Sequence, residues 1–234
     1  MDTIKTVFWA IVLALGIRTI AYEPFNIPSG SMKPTLLIGD YLFVSKFSYG
    51  YSTYSLPFGV NLFDGRILED APKRGDVAVF KLPSDPSTDY IKRIVGLPGD
   101  KIQVIKGVLH INGEAVKREL IDEFVTRSKD GSILRAKRYI ETFPSGRQHY
   151  ILEESDDWSS LDDTQVFNVP PGHYFMMGDN RDHSQDSRVL TKVGFIPAKN
   201  LVGRAEFLFY SKDTLEPAWD LSSIRFGRLF SGIE

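Results

Sequence analysis

The chain contains no cysteine, and this absence excludes two kinds of site. Without cysteine there can be no disulfide bond and no metal held by thiolates. An exported compartment is permitted by this composition but is not indicated by it. What remains is ample for a core, because 42% of the 234 residues are hydrophobic and 12% are aromatic. This length is typical of one or two domains.

An excess of charge of one sign is lacking as well. The formal net charge is −2, which provides no general attraction to nucleic acid. Internal repeats and low-complexity tracts are also absent. We therefore expect no nucleic-acid partner.

Long hydrophobic runs are lacking except for one, from Val7 to Ile17. Extended from Ile4 to Tyr22, a helix here is about 28 Å long, near the roughly 30 Å of a hydrocarbon core. Pro24 disfavours continuation of the helix. The segment predicts a membrane anchor over residues 1–22 with a cytoplasmic amino terminus. A signal peptide removed at Ala14-Leu15-Gly16 is the alternative.

Beyond residue 22 the sequence predicts a mainly β fold. Segments rich in β-branched residues are separated by turn residues. They lie at residues 75–81, 90–95, 101–105 and 108–116. Within the last segment, Asn112-Gly113 is a strong hairpin signal. Residues 119–127 are the exception, because a short helix is an alternative for them.

Residues 117–165 are more charged and alternate less clearly, so we interpret them as part of an insertion. The acidic stretch 153–157 is interpreted as a solvated loop, with a cation site as the alternative. Apolar patterning returns at 166–172 and continues through 175–178.

A candidate nucleophile segment, Ser-Gly-Ser-Met-Lys-Pro-Thr at 29–35, follows soon after the apolar run. Gly30 permits close approach of another backbone, and Pro34 disfavours a helix, so we predict an extended segment. Ser29 and Ser31 then point the same way. One hydroxyl can attack a carbonyl while the other donates to the oxyanion. A connecting loop without chemistry is the alternative.

A second candidate is Lys92 on a predicted strand. Alternation places Tyr90, Lys92 and Ile94 on one face. Burial there would lower a lysine pKa from about 10.4 toward the 7 to 8 that suits a general base. A surface lysine on an edge strand is the alternative.

The third candidate is the dense polar stretch at 178–188, which begins Gly-Asp-Asn-Arg-Asp. Arg181 stands where a calcium loop needs an oxygen ligand, and the twelfth position lacks glutamate, so we predict no metal here. Asp186 and Arg188 are placed to pair and hold the loop. An exposed ion pair of little energetic value is the alternative.

These three segments, in this order, resemble those of the bacterial type I signal peptidases. Each motif is moderately specific alone, and the three in sequence are highly specific. The likeness involves residues 25–36 (nucleophile segment), 74–77, 89–93 with 96–100 (lysine strand) and 178–188 (last box). It covers roughly residues 25–100 and 169–205, whereas 101–168 shows only general β character.

The resemblance implies a signal-peptidase-like β-sheet catalytic core, with an inserted β-rich subdomain and one N-terminal transmembrane helix. The division that we predict is an anchor at 1–22, core at 23–100, inserted subdomain at 101–168, core again at 169–215 and a C-terminal segment at 216–234.

The resemblance also implies a membrane-bound serine endopeptidase that removes signal peptides and needs no cofactor or metal. Ser31 would be the acyl-forming nucleophile and Lys92 the neutral general base. The Ser29 hydroxyl and the Ser31 backbone N–H would form the oxyanion hole, and Ser184 would orient the lysine amine. The supporting residues would be Asp179, Asp186 and Arg188.

The implied substrates are signal peptides of exported preproteins, cut after small residues in an Ala-x-Ala-like pattern. The pocket for the residue before the cut would be lined by Ile27, Met32, Leu36, Tyr90 and Ile91. The pocket two residues upstream would be lined by Phe25, Leu42 and Val79. The substrate backbone would lie beside Asp89-Tyr90-Ile91. The enzyme would be a single-pass protein of the bacterial cytoplasmic membrane, in contact with phospholipid near the secretion translocon, with its catalytic domain on the outer (periplasmic) side.

Two features depart from the family pattern, a longer link at 189–193 and His183 in place of a small polar residue. One hydrophobic segment is present where some relatives have two. A Ser-His-Asp enzyme using His173 or His183 is an alternative. Self-cleaving repressor proteases also use Ser and Lys, but a DNA-binding helix-turn-helix is absent here. A membrane-tethered β-domain that binds partners without chemistry is a further alternative.

Overall fold

The computed structural model describes residues 2–55, 65–127, 131–155, 161–217 and 219–234. An N-terminal helix, α1 (Asp2–Ile20), precedes the strands. The strands are β1 (Tyr22–Asn26), β2 (Asp40–Ser45), β3 (Tyr51–Ser52), β4 (Arg66–Ile67), β5 (Val77–Leu82), β6 (Asp85–Gly96), β7 (Lys101–Ile105), β8 (Val108–Ile111), β9 (Glu114–Ala115), β10 (Lys117–Arg127), β11 (Ile133–Thr142), β12 (Gln148–Glu153), β13 (Phe167–Asn168), β14 (His173–Met177), β15 (Ile196–Pro197) and β16 (Leu201–Ser211). Short 3-10 turns lie at Phe47–Tyr49, Thr53–Ser55, Ala198–Asn200, Leu221–Ser223 and Phe226–Arg228.

Helix α1 confirms the helical form of the predicted N-terminal segment. It ends at Ile20, and Arg18 in its last turn pairs with Glu23 at the start of β1 at 2.7 Å. Among the residues that the structure describes, no helix combines the length and the apolar character needed to cross a membrane.

The mainly β fold class is confirmed. The largest sheet has seven strands in the order β1-β2-β16-β5-β6-β14-β15, with neighbouring strands antiparallel. The four predicted β-branched segments all form strands of this sheet or its neighbours. The hairpin between β8 and β9 is also confirmed, because Asn112 and Gly113 have φ values of 56° and 89°. Positive φ at both positions is typical of a type I′ turn.

The alternative of a short helix at 119–127 is wrong, because these residues belong to β10. Strand β10 pairs along its length with β11, interrupted by one bulge after Leu120. Ion pairs join the two strands, Asp122 with Arg138 and Glu123 with Arg135. Cross-strand pairing therefore overrides the local helical preference of this charged segment.

The described residues between 101 and 168 form two further sheets beside the largest one. Their strand orders are β10-β11-β12 and β13-β7-β8-β9. Apolar side chains of this region pack against Phe175 and Met177 of β14, so it shares a core with the largest sheet. The end of β12 also pairs with the polar stretch, since Leu152 N–H donates to the Asp179 carbonyl at 2.8 Å.

The acidic stretch 153–157 is not simply a solvated loop. Glu153 is the last residue of β12 and is 1% exposed. Residues 156 and 157 lie outside the described part of the chain.

Candidate active site

The structure brings the two residues predicted for catalysis together across 61 positions of sequence. Lys92 Nζ lies 2.5 Å from Ser31 Oγ and also donates to its neighbour's carbonyl, Ile91 O, at 3.0 Å. Both side chains are buried. This contact joins β6 to the loop that follows β1.

The environment of Lys92 favours its neutral form. Burial lowers the pKa of Lys92 to about 8, although Asp186 and Asp179 act in the opposite direction. The amine also lies 5.4 Å from the centre of the Tyr90 ring on the same strand. The alternative of a surface lysine is therefore wrong. Near pH 8 about half of such amines carry a free lone pair that can take the proton of Ser31.

The nucleophile segment has a different shape from the one predicted. Instead of an extended run, residues 31–35 form turns, with Leu36 N–H donating to Met32 O at 2.9 Å. Ser29 and Ser31 nevertheless point the same way, since their hydroxyl oxygens are 3.4 Å apart.

The turns are held by the polar stretch, which is distant in sequence. Asn180 donates from Nδ2 to the Gly30 carbonyl at 3.0 Å and from its backbone N–H to the Ser31 carbonyl at 3.1 Å. Thr35 donates from Oγ1 to Asp179 Oδ2 at 2.5 Å. Asn180 is a positioning residue that sequence reasoning missed.

A buried ion pair between Arg93 and Asp179 lies behind the dyad. Arg93 donates to both carboxylate oxygens at 2.8 and 2.7 Å, and both side chains are buried. Burial alone would raise the pKa of Asp179, but Arg93 more than offsets this and lowers it. Arg93 was also missed. Its signal was the alternation that puts it opposite Lys92, between apolar neighbours.

The second ion pair, between Asp186 and Arg188, is also buried. Two hydrogen bonds of 2.9 Å join them, and Asp186 Oδ2 accepts the Gly178 N–H at 3.0 Å. The alternative of an exposed pair is therefore wrong. Burial acts to raise the pKa of Asp186, and Arg188 outweighs it and lowers it.

Ser184 lies in this loop and is 4% exposed. Its Oγ has no partner of full hydrogen-bond geometry among the described residues, although its hydroxyl lies near enough to Asp186 to help lower the pKa of that carboxyl. The hydrogen bond from Ser184 to the Lys92 amine therefore stays a prediction.

A cleft with a volume of about 550 Å³ opens onto Ser31 and Lys92. Its wall contains six of the predicted substrate-binding residues, Phe25, Ile27, Val79, Asp89, Tyr90 and Ile91. Five further wall residues were not predicted for this role, Asn26, Pro28, Thr88, His183 and Gln185. Ser29 also lines the cleft.

Three other residues predicted to line the substrate pockets lie elsewhere. Met32, Leu36 and Leu42 are at most 1% exposed and pack with Ile27 and Val79 in the core behind the cleft. They support the wall from behind, and direct contact with substrate stays a prediction for them.

Strand β6 presents an open edge to the cleft. Strand β5 pairs with β6 from Asp85 to Arg93, whereas on the other side β14 pairs only with Arg93, Ile94 and Gly96. Among the described strands, the far side of residues 89–92 therefore has no partner. Unpaired backbone groups at such an edge can bind an extended peptide.

The histidines do not assemble a Ser-His-Asp triad. Ser31 Oγ is bonded to Lys92 and lies beside Ser29, whereas His183 Nε2 pairs with Glu154 at 2.7 Å. His173 Nδ1 lies 2.9 Å from the Pro171 carbonyl.

Comparison with known proteins agrees with the motifs. The family model described as signal peptidase, peptidase S26, matches residues 1–210. The chain is 40% identical over 250 positions to the signal peptidase I of Rickettsia prowazekii, covering 96% of this chain and 90% of that protein. It is 43% identical over 220 positions to the signal peptidase I of Rickettsia akari, covering 89% and 80%. The resemblance stated from the motifs is confirmed.

A solved structure of a signal peptidase I from Enterococcus faecalis is also similar, at 24% identity. The match covers 58% of this chain and 97% of that chain, with a TM-score of 0.34.

Proposed function

The chain belongs to the signal peptidase family, peptidase S26, and we propose that it removes N-terminal signal peptides from exported preproteins with a Ser-Lys dyad. Its class is that of a serine endopeptidase. The observation that carries the dyad is the 2.5 Å contact between Lys92 Nζ and Ser31 Oγ inside a buried site.

The proposed reaction begins when neutral Lys92 takes the proton of Ser31 while Oγ attacks the scissile carbonyl. The Ser29 hydroxyl and the Ser31 backbone N–H stabilise the oxyanion. Protonated Lys92 then gives its proton to the leaving amine, and an acyl-enzyme remains. Water activated by Lys92 attacks the ester, and Ser31 is released with its proton.

The cleft and the open edge of β6 support an extended substrate. Its backbone would pair with Asp89-Tyr90-Ile91, and alternate side chains would point into the protein. Because the wall there is lined by bulky groups, small residues are favoured before the cut and two positions upstream.

Membrane attachment through α1 is part of the proposal. Large apolar side chains of this helix are exposed, including Ile4, Phe8, Trp9 and Leu13. At 100° per residue these four positions span about half of the helix circumference, a wide apolar face that suits an apolar surrounding. We place the enzyme at the bacterial cytoplasmic membrane with its catalytic domain outside. Protection of the catalytic domain from protease added to intact spheroplasts would contradict its placement on the outer side of the membrane.

The direct test is cleavage of a purified preprotein by the full chain in detergent. Wild type should release the signal peptide, and Ser31→Ala and Lys92→Ala should not. Lys117→Ala, which removes an exposed lysine on β10, is the matched control and should remain active. Equal cleavage by wild type and both dyad variants would overturn the proposal.

A further inference from the structure

Three carboxylates meet outside the catalytic cleft. Glu153 ends β12, Asp162 precedes β13, and Asp182 belongs to the polar stretch. One oxygen from each lies within 4.8 Å of the other two. Glu153 is 1% and Asp162 2% exposed, and Asp182 is half-buried. Like charges this close in a buried place are costly without a counter-charge.

Two oxygens of this carboxylate cluster lack a partner. Glu153 Oε1 and Asp182 Oδ1 are shielded from solvent and have no hydrogen-bond donor among the described residues. The other oxygen of Asp182, Oδ2, accepts the Glu154 backbone N–H at 2.6 Å, which fixes this carboxylate. Buried polar atoms are nearly always satisfied, so these two oxygens point to a partner other than the described side chains.

The nearby arginines are bonded to other groups. Arg181 donates to both oxygens of Glu141, at 3.0 and 2.6 Å, and Arg188 is paired with Asp186. Burial, and then Asp182, raise the pKa of Glu153 to about 8. Asp162 acts in the same direction, whereas Arg181 and Arg188 oppose it.

We propose that Glu153, Asp162 and Asp182 bind one hard divalent cation of the calcium and magnesium class. The donors are all carboxylate oxygens, which suit these ions. Calcium–oxygen bonds of about 2.3 to 2.6 Å allow two ligands of one ion to lie up to about 5 Å apart. Backbone carbonyls and water complete such shells. The ion would tie β12 and the segment before β13 to the polar stretch, two residues from Ser184.

A cation site was the alternative for the acidic stretch 153–157, which supplies Glu153, but no spacing motif predicts the full set of ligands, which are spread over 30 positions. We predicted no metal at 178–188 on the calcium-loop pattern alone. The cluster uses only Asp182 from that stretch, and long-range folding supplies the other two ligands.

The test is calorimetric titration of the full chain in detergent, stripped of metal with EDTA and dialysed, with CaCl2 and separately with MgCl2. We expect one site per chain for at least one ion. Glu153→Gln and Asp182→Asn should each weaken binding at least tenfold. Asp163→Asn is the matched control, because exposed Asp163 accepts the Lys106 N–H at 2.9 Å and asparagine can do the same. It should bind like wild type.

No binding of either ion at several millimolar, or wild-type affinity in both ligand variants, would overturn the proposal. If a variant fails to fold, the melting temperature of the wild-type chain tests the site instead. This temperature should rise with CaCl2 or MgCl2 but not with KCl of equal ionic strength. No rise with either divalent salt would contradict the proposed cation site.

Discussion

At the scale of single residues, the proposed chemistry depends on a lysine that burial keeps close to neutrality. Lys92 has an ordinary pKa of 10.5 when exposed and one of about 8 in the folded chain. Between pH 8 and pH 10.5 the lysine binds a proton in the unfolded chain but not in the folded one, so the free energy of unfolding rises with pH across this window. Below pH 8 the folded chain carries the full cost of burying the charged amine. The site therefore exchanges stability for reactivity.

Replacing this lysine by an apolar residue of similar length should stabilise the fold. Below pH 8 the charged amine costs up to about 3 kcal/mol, taking about 1.4 kcal/mol per pKa unit. Lys92→Met should thus exceed wild type in free energy of unfolding at pH 7, and its advantage should shrink toward pH 10. Denaturant unfolding at both pH values measures this, with Lys117→Met as the control. An equal difference at both pH values would disprove the burial argument.

The Ser29 hydroxyl has its own prediction. Because it lies beside the nucleophile, 3.4 Å from Ser31 Oγ, Ser29→Ala should lower kcat by about 10²- to 10³-fold and leave KM nearly unchanged. Steady-state cleavage of a peptide substrate separates the two constants. Ser87→Ala, on the exposed part of β6, is the control. A raised KM with normal kcat would make Ser29 a binding residue.

At the scale of elements, the backbone of Gly178, just after β14, lies against the backbone of Ser31 and so helps to position the dyad. A Cβ at Gly178 would lie 2.2 Å from Ser184 Oγ and 2.5 Å from the Ser31 carbonyl oxygen. The Ser184 hydroxyl can rotate away, but Ser184 Cβ, which would also lie 2.5 Å away, and the Ser31 carbonyl cannot move without moving the backbone of these two serines.

Gly178→Ala should therefore lower cleavage by about 10²-fold or more, since a shift of about 1 Å in a reacting group has that effect. The melting temperature should fall as well. Gly227→Ala adds the same methyl group where nothing lies within 4 Å, and it should behave like wild type in both measurements. Full activity of Gly178→Ala would show that the close contact between the backbones of Gly178 and Ser31 is not needed.

Local signals predicted the elements that depend on local chemistry. The strands β5 to β8 and the Asn112-Gly113 turn followed from β-branched runs and turn residues, whose information lies within about ten residues of sequence. The choice of Ser31 and Lys92 followed instead from the resemblance to the family motifs and their order.

What failed depends on contacts between distant residues. The turn after Gly30 is imposed by Asn180, 150 positions away, and the strand at 119–127 by pairing with β11. Arg93 was given no role from the sequence, and only the fold shows that it pairs with Asp179. Packing places Met32 in the core behind the cleft, which its apolar character alone did not reveal, and its contact with substrate stays a prediction.

At the scale of the whole molecule, the cleft predicts what the enzyme can cut. Its apolar wall includes Phe25, Ile27 and Val79 and is backed by a filled core, so it cannot easily retreat. In a preprotein library, Phe or Leu before the cut or two positions upstream should reduce kcat/KM by at least tenfold relative to Ala. The same changes at the intervening residue, which points away from the protein, are the control. Equal cleavage of all variants would reject the pocket assignment even with an essential dyad.

The most direct measurement of the central claim is the titration of Lys92 itself. NMR of the enzyme with 13C-labelled lysine, with Lys92 assigned by the signal lost in Lys92→Arg, should give a midpoint near pH 8. The acidic limb of kcat/KM should have the same midpoint, because only the neutral amine accepts the proton of Ser31. Lys92→Arg should not cleave, since guanidinium stays protonated. A Lys92 midpoint above pH 10 in an enzyme fully active at pH 8, or near-normal cleavage by Lys92→Arg, would contradict the account.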